Sequence, residues 1–251
     1  MDKKIKISAV SYLNSKPFLY GLFRNDFDKT FSLALDYPSE CARKLINHEV
    51  DLGLVPVAVI PEIENVQIIS DFCIGADGPV KTVCIYAELP LDEIKEIYLD
   101  YQSRTSVQLL KVLLKKHWML SPKLIDAPKD YINKIKHNTA ALVIGDRTIG
   151  LEQRFPYVYD LSEAWKKYSG MPFVFAAWVS NGSLPQEFVH NFNACLKDGV
   201  SRIEQVAQLF QSSHLNFDVL EYYSKFISYE LDSQKTEGMN RFLSEAKEIT
   251  I

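Results

Sequence analysis

The chain has 251 residues, of which 47% are apolar and 24% charged, and its formal net charge at pH 7 is −4. This length can bury one large core or two modest ones, and the apolar content excludes an intrinsically disordered chain. The slightly acidic balance gives no electrostatic reason to expect nucleic acid or an anionic membrane surface as a partner, and no apolar run approaches the roughly 18 residues of a membrane-spanning helix.

The first part of the chain alternates short apolar runs with segments of helical spacing, which is typical of βα units around a largely parallel sheet. Pro17 and Pro38 fall where helices can begin, because proline is tolerated in the first helical turn. Strands are predicted at Ile5 to Val10, Phe31 to Leu35, Leu52 to Val55, Val66 to Phe72 and Thr82 to Tyr86.

A second βα series follows. It contains a strand from Ile97 to Leu99, a helix from about Arg104 that Ser103 can cap, a strand at Leu124 and Ile125, a short helix from Lys129 to Ile135 and a strand from Ala140 to Ile144. The run from Phe173 to Val179 is rich in β-forming residues, and everything after Pro185 has helical spacing.

This order of elements predicts two α/β lobes connected by two crossover segments, which is the wiring of a hinged clamp. We assign residues 1–88 and 178–251 to a discontinuous first lobe and residues 89–177 to a second. In such sheets a ligand lies at the carboxyl ends of the strands, where loops of both lobes meet.

Cysteine usage and the start of the chain give two further expectations. The four cysteines are scattered, with no C-x-x-C pair and no short histidine spacing, so we expect neither a disulfide framework nor a metal site. The first residues combine lysines with short apolar stretches and lack an apolar run of signal-peptide length, which predicts a cytoplasmic protein.

Two strand-end loops offer groups for an anion. Asn14 and Ser15 follow the first strand, where they can cap the next helix, or the helix start can instead hold a carboxylate. The second loop runs from Ser103 to Ser106 and has three hydroxyls and one guanidinium in four residues, which is more than capping requires. It therefore predicts a carboxylate site, although Arg104 in a structural ion pair is the alternative.

Two other loops are weaker candidates. Gly78 opens a turn that leads to Thr82, and Gly145 permits close backbone approach beside Asp146, which could hold a ligand hydroxyl or cap a helix. The histidines, at positions 48, 117, 137, 190 and 214, fall in charged helical stretches away from these loops. A nucleophile elbow and a glycine-rich phosphate loop are both missing from the sequence.

Six segments together resemble the chorismate dehydratase family of the futalosine route to menaquinone, which has the periplasmic-binding-protein type II fold. They are SYLNSKP from Ser11, LGLVP from Leu52, GPVKTV from Gly78, SRTSVQLLK from Ser103, ALVIGD from Ala141 and GMPFVFAAW from Gly170. The sequence departs from the family pattern at Thr82, where serine is expected, and at Ser169-Gly170-Met171, where threonine-glycine-leucine is commoner.

The resemblance implies that the protein removes water from chorismate and leaves 3-[(1-carboxyvinyl)oxy]benzoate, without a metal or an organic cofactor. It assigns Asn14 and Thr82 to catalysis. It assigns substrate binding to Ser11, Tyr12, Ser15, Pro56, Gly78, Ser103, Arg104, Thr105, Ser106, Gly145, Asp146 and Phe173. In this scheme the Ser103 loop holds one carboxylate, Asn14 lies near the leaving hydroxyl, and Phe173 is the aromatic residue that contacts the ligand.

Several alternatives remain open from the sequence. The ring proton can pass to a basic oxygen of the substrate itself or to Asp146. The same fold also serves non-catalytic small-anion receptors and sensors, and the naphthoate-forming enzyme of the same pathway is the nearest enzymatic alternative. We expect a small dicarboxylate as the partner rather than nucleic acid or membrane, a monomer or a homodimer, and lobe closure on substrate.

Overall fold

The computed structural model describes residues 4–24, 27–213 and 216–250, which form two α/β lobes. The strands are β1 (Ile5–Val10), β2 (Phe31–Asp36), β3 (Leu52–Pro56), β4 (Gln67–Ala76), β5 (Val83–Ala87), β6 (Glu96–Leu99), β7 (Lys123–Asp126), β8 (Thr139–Ile144), β9 (Tyr157–Asp160), β10 (Phe173–Ser180) and β11 (Ser228–Glu230). They form a six-stranded sheet in the order β11-β4-β10-β3-β1-β2 and a five-stranded sheet in the order β7-β6-β8-β5-β9.

The helices are α1 (Lys16–Leu22), α2 (Pro38–Ile46), α3 (Thr105–Lys116), α4 (Leu161–Ser169), α5 (Gln186–Ser201), α6 (Ile203–Gln211), α7 (Val219–Glu221) and α8 (Ser233–Thr250). A π-helix, Tyr222–Phe226, continues directly from α7. Short 3₁₀ turns include Leu13–Ser15 after β1 and Gly145–Thr148 after β8. No helix within the described ranges is long and apolar enough to cross a membrane.

The predicted parallel core of the first sheet is confirmed. Ile7 of β1 lies opposite both Leu33 of β2 and Leu52 of β3 in parallel register. All three strands therefore end at the same edge of the sheet, which is the edge where a ligand is expected. The long apolar run after Pro172 is β10, which pairs antiparallel with both β3 and β4.

The chain changes sheets at residues 77–82 and again at residues 170–172. Both changes come several residues before the lobe boundaries at 88 and 178 suggested by the sequence, because β5 belongs wholly to the second sheet and β10 wholly to the first. Which residues move with which lobe stays a prediction. The expectation that everything after Pro185 is helical is wrong, since β11 pairs with β4. Three residues are too short to show a period-two pattern.

The loop after β1 is fixed by a very close helix contact behind it. A Cβ atom on Gly21 of α1 would lie 1.9 Å from the carbonyl oxygen of Cys195, and one on Gly199 of α5 would lie 1.9 Å from that of Pro17. Only glycine at both positions lets the two helix backbones approach this closely. Because α1 begins at Lys16, this contact also fixes the position of the loop that contains Asn14.

Candidate active site

A narrow cavity of about 50 Å³ lies between the lobes. It is lined by Val10, Tyr12, Asn14, Pro38, Pro56, Ile74, Val80, Thr82, Val83, Ser103, Thr105, Ser106, Ile144, Gly145, Phe175 and Ala176. Most of these residues come from the ends of β1, β3, β4 and β8, the starts of β5, α2 and α3, and the first half of β10. The lining contains hydroxyl, amide and apolar groups, and among the described residues it includes no carboxylate or cationic side chain.

The topology explains why the distant loops meet. β5 and β8 are antiparallel, so Val83 at the start of one strand lies opposite Ile144 at the end of the other. Thr82 and Gly145 are therefore neighbours, and the Gly145 amide donates to the Thr82 carbonyl at 2.9 Å. The structure brings together eight of the fourteen predicted site residues, namely Tyr12, Asn14, Pro56, Thr82, Ser103, Thr105, Ser106 and Gly145.

The predicted catalytic residue Thr82 has a partner that the sequence did not indicate. The Thr82 hydroxyl lies 2.7 Å from the Tyr222 hydroxyl. Tyr222 is buried in the π-helix. Burial raises the pKa of Tyr222 above its usual value, while the polar side chains of Thr82 and Asn14 act in the opposite direction, so the phenol is neutral at physiological pH.

Asn14 presents an unused acceptor at this point. Its Oδ1 atom is buried and has no hydrogen-bond partner among the described residues. A buried amide oxygen without a partner is energetically unfavourable unless a ligand or water satisfies it. Since Asn14 lines the cavity, a hydroxyl group of a ligand is the natural donor.

The start of α3 forms the second polar side of the cavity. Ser103 caps this helix as predicted, because its hydroxyl accepts from the Ser106 amide at 3.0 Å. The Thr105 hydroxyl accepts from the Ala58 amide at 3.2 Å and donates to the Phe175 carbonyl at 3.0 Å, so it connects the two lobes. Ser106 is buried beside the cavity, and it lies at the positive end of a 12-residue helix.

The loop after β1 also contacts the second lobe directly. Both carboxylate oxygens of Asp146 accept from the Leu13 amide, at 2.9 and 3.1 Å. The Tyr12 hydroxyl donates to Gln102 of the second lobe, and a Cβ atom on Gly145 would lie 2.6 Å from the Tyr12 ring. Gly145 has φ +66°, so both its conformation and the contacting ring favour glycine.

Behind Tyr12 lies a buried charged group. Arg147 pairs with the fully buried Asp100 at 2.6 Å, and the Tyr131 hydroxyl donates to the same carboxylate at 2.8 Å. Burial raises the pKa of Tyr12 far above its usual value, although the nearby Arg147 acts in the opposite direction. Tyr12 is therefore a neutral hydrogen-bonding group in this site.

Six predicted site residues do not line the cavity. The Ser15 hydroxyl donates instead to the carbonyls of Val10 and Tyr12, which stabilises the 3₁₀ turn but does not cap α1. The Ser11 amide donates to the Asp36 carbonyl, and Gly78 forms the turn between the sheets with φ +119°.

Arg104 and Phe173 are the largest departures from expectation. Arg104 is exposed and lines a separate surface groove with Glu62 and Lys111, because it lies on the outer side of the first turn of α3. Arg104 does not line the cavity as predicted. Among the described residues it also does not form the ion pair that the sequence offered as the alternative. Phe173 is completely buried against Trp165 and Phe242 and does not line the cavity, so its contact with a ligand stays a prediction.

The aromatic residue at the cavity is Phe175, two positions further along β10. Phe173 and Phe175 are in contact, with ring centroids 4.7 Å apart, and only the second reaches the cavity wall. Strand periodicity places both on one face, so it cannot distinguish them. Asp146 lies beside the cavity but contacts the Leu13 amide, and so joins the lobes.

Among the described residues, no group of three or more histidine, cysteine, aspartate or glutamate side chains is placed to hold a metal ion. Four of the five histidines lie outside the cavity lining, and His214 lies outside the described residues. All four cysteines are free and buried.

Comparisons with known proteins agree with this architecture. The crystal structure of protein AF1704 from Archaeoglobus fulgidus superposes with a TM-score of 0.78 at 13% identity, covering 98% of this chain and 97% of the other. The Candida albicans CA3427 gene product, described as exhibiting the generic periplasmic binding protein fold, superposes with a TM-score of 0.65 at 12% identity, covering 98% and 90%. The predicted periplasmic-binding-protein fold is thus confirmed.

Sequence comparison identifies the family. The chain is 26% identical over 227 residues to the chorismate dehydratase of Thermus thermophilus, covering 82% of this chain and 83% of the relative. A family model described as menaquinone biosynthesis matches residues 5–248. The chain therefore belongs to the menaquinone biosynthesis family.

Proposed function

We propose that this protein is a hydro-lyase that converts chorismate to 3-[(1-carboxyvinyl)oxy]benzoate and water. The observation that carries the proposal is the meeting of Asn14, Thr82 and the hydroxyl-rich start of α3 around one cavity between the lobes. The motif resemblance and the name of the Thermus thermophilus relative support the same reaction.

One carboxylate of the substrate is proposed to lie at the start of α3. Ser106 lines the cavity at the start of α3, and the first amides of a helix carry a partial positive charge. This site replaces the Arg104 guanidinium of the sequence-based scheme, since Arg104 faces the outer groove.

The leaving hydroxyl is proposed to lie between Asn14 and Thr82. Asn14 Oδ1 would accept a hydrogen bond from this hydroxyl, and the Thr82 hydroxyl would donate a hydrogen bond to its oxygen. A donor held at the leaving oxygen stabilises the negative charge that develops as the C–O bond breaks. The apolar wall formed by Val10, Ile144 and Phe175 would hold the ring and exclude water.

The ring proton is proposed to pass to an oxygen of the substrate itself. No described residue of the cavity lining is a histidine or has a carboxylate, Tyr12 is neutral, and Asp146 accepts from the Leu13 amide. In balanced form, the C–H bond at the ether-bearing carbon breaks, its electrons form the new ring double bond, and hydroxide leaves the neighbouring carbon and takes up a proton as water. Aromatisation of the ring makes the step downhill, so orientation supplies much of the catalysis.

The reaction as written needs no redox partner, and we propose that the enzyme works without a metal or an organic cofactor. The cytoplasmic location, the lobe closure on substrate and the choice between monomer and homodimer stay predictions.

The decisive test is incubation of the purified chain with chorismate, with the aromatic product followed by liquid chromatography and mass spectrometry. Asn14→Ala should lower kcat about 100-fold or more, a size typical of one lost transition-state hydrogen-bonding group. Asn240→Ala is a matched control, because Asn240 is exposed on α8. Tight chorismate binding without product would indicate a receptor instead, and full activity of Asn14→Ala would remove that residue from the chemistry.

A further inference from the structure

The C-terminal part of the chain, which has only helical spacing in the sequence, contacts the active-site residue Thr82 through Tyr222. Tyr222 begins the π-helix directly after α7, and its ring packs edge-on against Phe217 with centroids 5.2 Å apart. The Ile227 amide donates to the Tyr222 carbonyl at 3.1 Å, which is the wide hydrogen bond of a π-turn. Such turns are rare and often occur at functional sites.

The Tyr222 hydroxyl holds the side chain of Thr82 in place. The two hydroxyl oxygens are 2.7 Å apart, and either can be the donor. When Tyr222 donates, the proton of Thr82 is free for a ligand, because the other acceptor of Thr82, the Val80 carbonyl, is 3.5 Å away.

We propose that Tyr222 is a positioning residue that donates to Thr82 and so directs the Thr82 proton toward the leaving hydroxyl. The buried Asn14 Oδ1 atom, which has no partner among the described residues, provides an acceptor for the same leaving hydroxyl. Without the Tyr222 hydroxyl, the Thr82 hydroxyl can turn away from the substrate. This role rests on the proposed dehydration, since it acts through Thr82, one of the two residues assigned to that step.

The test is Tyr222→Phe, which removes the hydroxyl and keeps the ring. We expect kcat for chorismate to fall about 10-fold with KM within about twofold, because the lost hydrogen bonds matter most when the C–O bond breaks. Tyr86→Phe is the matched control. Tyr86 is equally buried and its hydroxyl donates to the Thr148 carbonyl at 3.4 Å, away from Asn14 and Thr82. Its kcat should stay at the wild-type value.

A double-mutant cycle separates positioning from general destabilisation. If Tyr222 acts through Thr82, the fold-loss in kcat of the double variant Tyr222→Phe/Thr82→Val should be smaller than the product of the two single fold-losses. Independent effects would multiply instead. Thr82→Ser, which keeps the hydroxyl, should retain most of the activity. Multiplicative losses, or an equal loss in Tyr86→Phe, would overturn the role.

Two outcomes keep the proposals distinct. If the wild-type chain makes no aromatic product, the proposed reaction fails; if the wild type is active and Tyr222→Phe has wild-type kcat, only the positioning role fails. Should Tyr222→Phe not fold, 3-fluorotyrosine at position 222 keeps the shape and the hydroxyl while making it a stronger acid. A kcat different from wild type supports the role, and an unchanged kcat refutes it.

Discussion

Asp146 offers the sharpest test of how the two lobes and the chemistry are connected. Its carboxylate follows β8 in the second lobe and accepts twice from the Leu13 amide in the first. The sequence left it open whether this carboxylate is the base or a ligand for a hydroxyl. The geometry predicts that it stabilises the closed arrangement of the lobes instead.

The size of the effect follows from the bond. A hydrogen bond to a charged group contributes about 1.5 to 3 kcal/mol. Asp146 is half-buried, so the lower end applies, and about 1.4 kcal/mol corresponds to a factor of 10 in an equilibrium. Asp146→Ala should therefore shift the closure equilibrium about 10-fold toward the open form. Because the substrate binds the closed form, KM should rise by a similar factor.

Steady-state kinetics with chorismate, comparing Asp146→Ala and Asp146→Asn, checks this expectation. Asparagine keeps one oxygen that can accept from the Leu13 amide, so Asp146→Asn should keep KM within about threefold of the wild type, and both variants should keep kcat. A general base contributes about 100-fold or more. Loss of kcat by that factor in both variants, with KM unchanged, would show that Asp146 takes the ring proton and that our reasoning is wrong.

Three further predictions concern packing, backbone and pH. Phe173→Ala should lower the free energy of unfolding by about 3 to 5 kcal/mol in chemical denaturation, whereas Phe175→Leu should mainly raise KM; the reverse pattern would contradict the assignment of Phe175 to the cavity. Gly145→Ala should lower activity at least 10-fold with secondary structure retained by circular dichroism, because a Cβ atom there meets an aromatic ring at 2.6 Å, and wild-type kinetics would refute that contact. Burial raises the pKa of the Cys41 and Cys73 thiols to about 12, above the ordinary value of 9.0 that applies to the unfolded chain. Above pH 9 the folded state therefore keeps these thiol protons while the unfolded state loses them, so the free energy of unfolding should fall as the pH rises from 9 toward 12. Rapid thiol labelling of the native protein at pH 8 would contradict the burial of these thiols.

The strand-end loops could be predicted because their positions follow from chain order. Parallel strands such as β1 and β3 must end at one edge, which is where a ligand was expected, and the structure places Asn14 and Pro56 in the cavity wall. Ser103 was expected to cap α3 for the same kind of local reason, and it does. These inferences needed only element order and the chemistry of helix ends.

The direction of individual side chains could not be predicted in the same way. Ser15 lies in the expected loop, but the 3₁₀ turn directs its hydroxyl to the backbone of that loop. Arg104 lies in the first turn of α3, where a rotation of about 100° per residue separates the cavity side from the outer groove. Tyr222 is 140 residues from Thr82 in sequence, and no local pattern indicates such a contact.

The position of Arg104 outside the cavity agrees with the proposed chemistry. A guanidinium beside a carboxylate lowers the pKa of that carboxyl group and makes the carboxylate a weaker base. If a substrate carboxylate is to accept the ring proton, it must keep its basicity, and the uncharged lining permits this. The start of α3 can hold the other carboxylate through Ser106 and backbone amides, without a full positive charge in the cavity. A cation placed among the described lining residues would strengthen binding of that carboxylate but slow the proposed proton transfer.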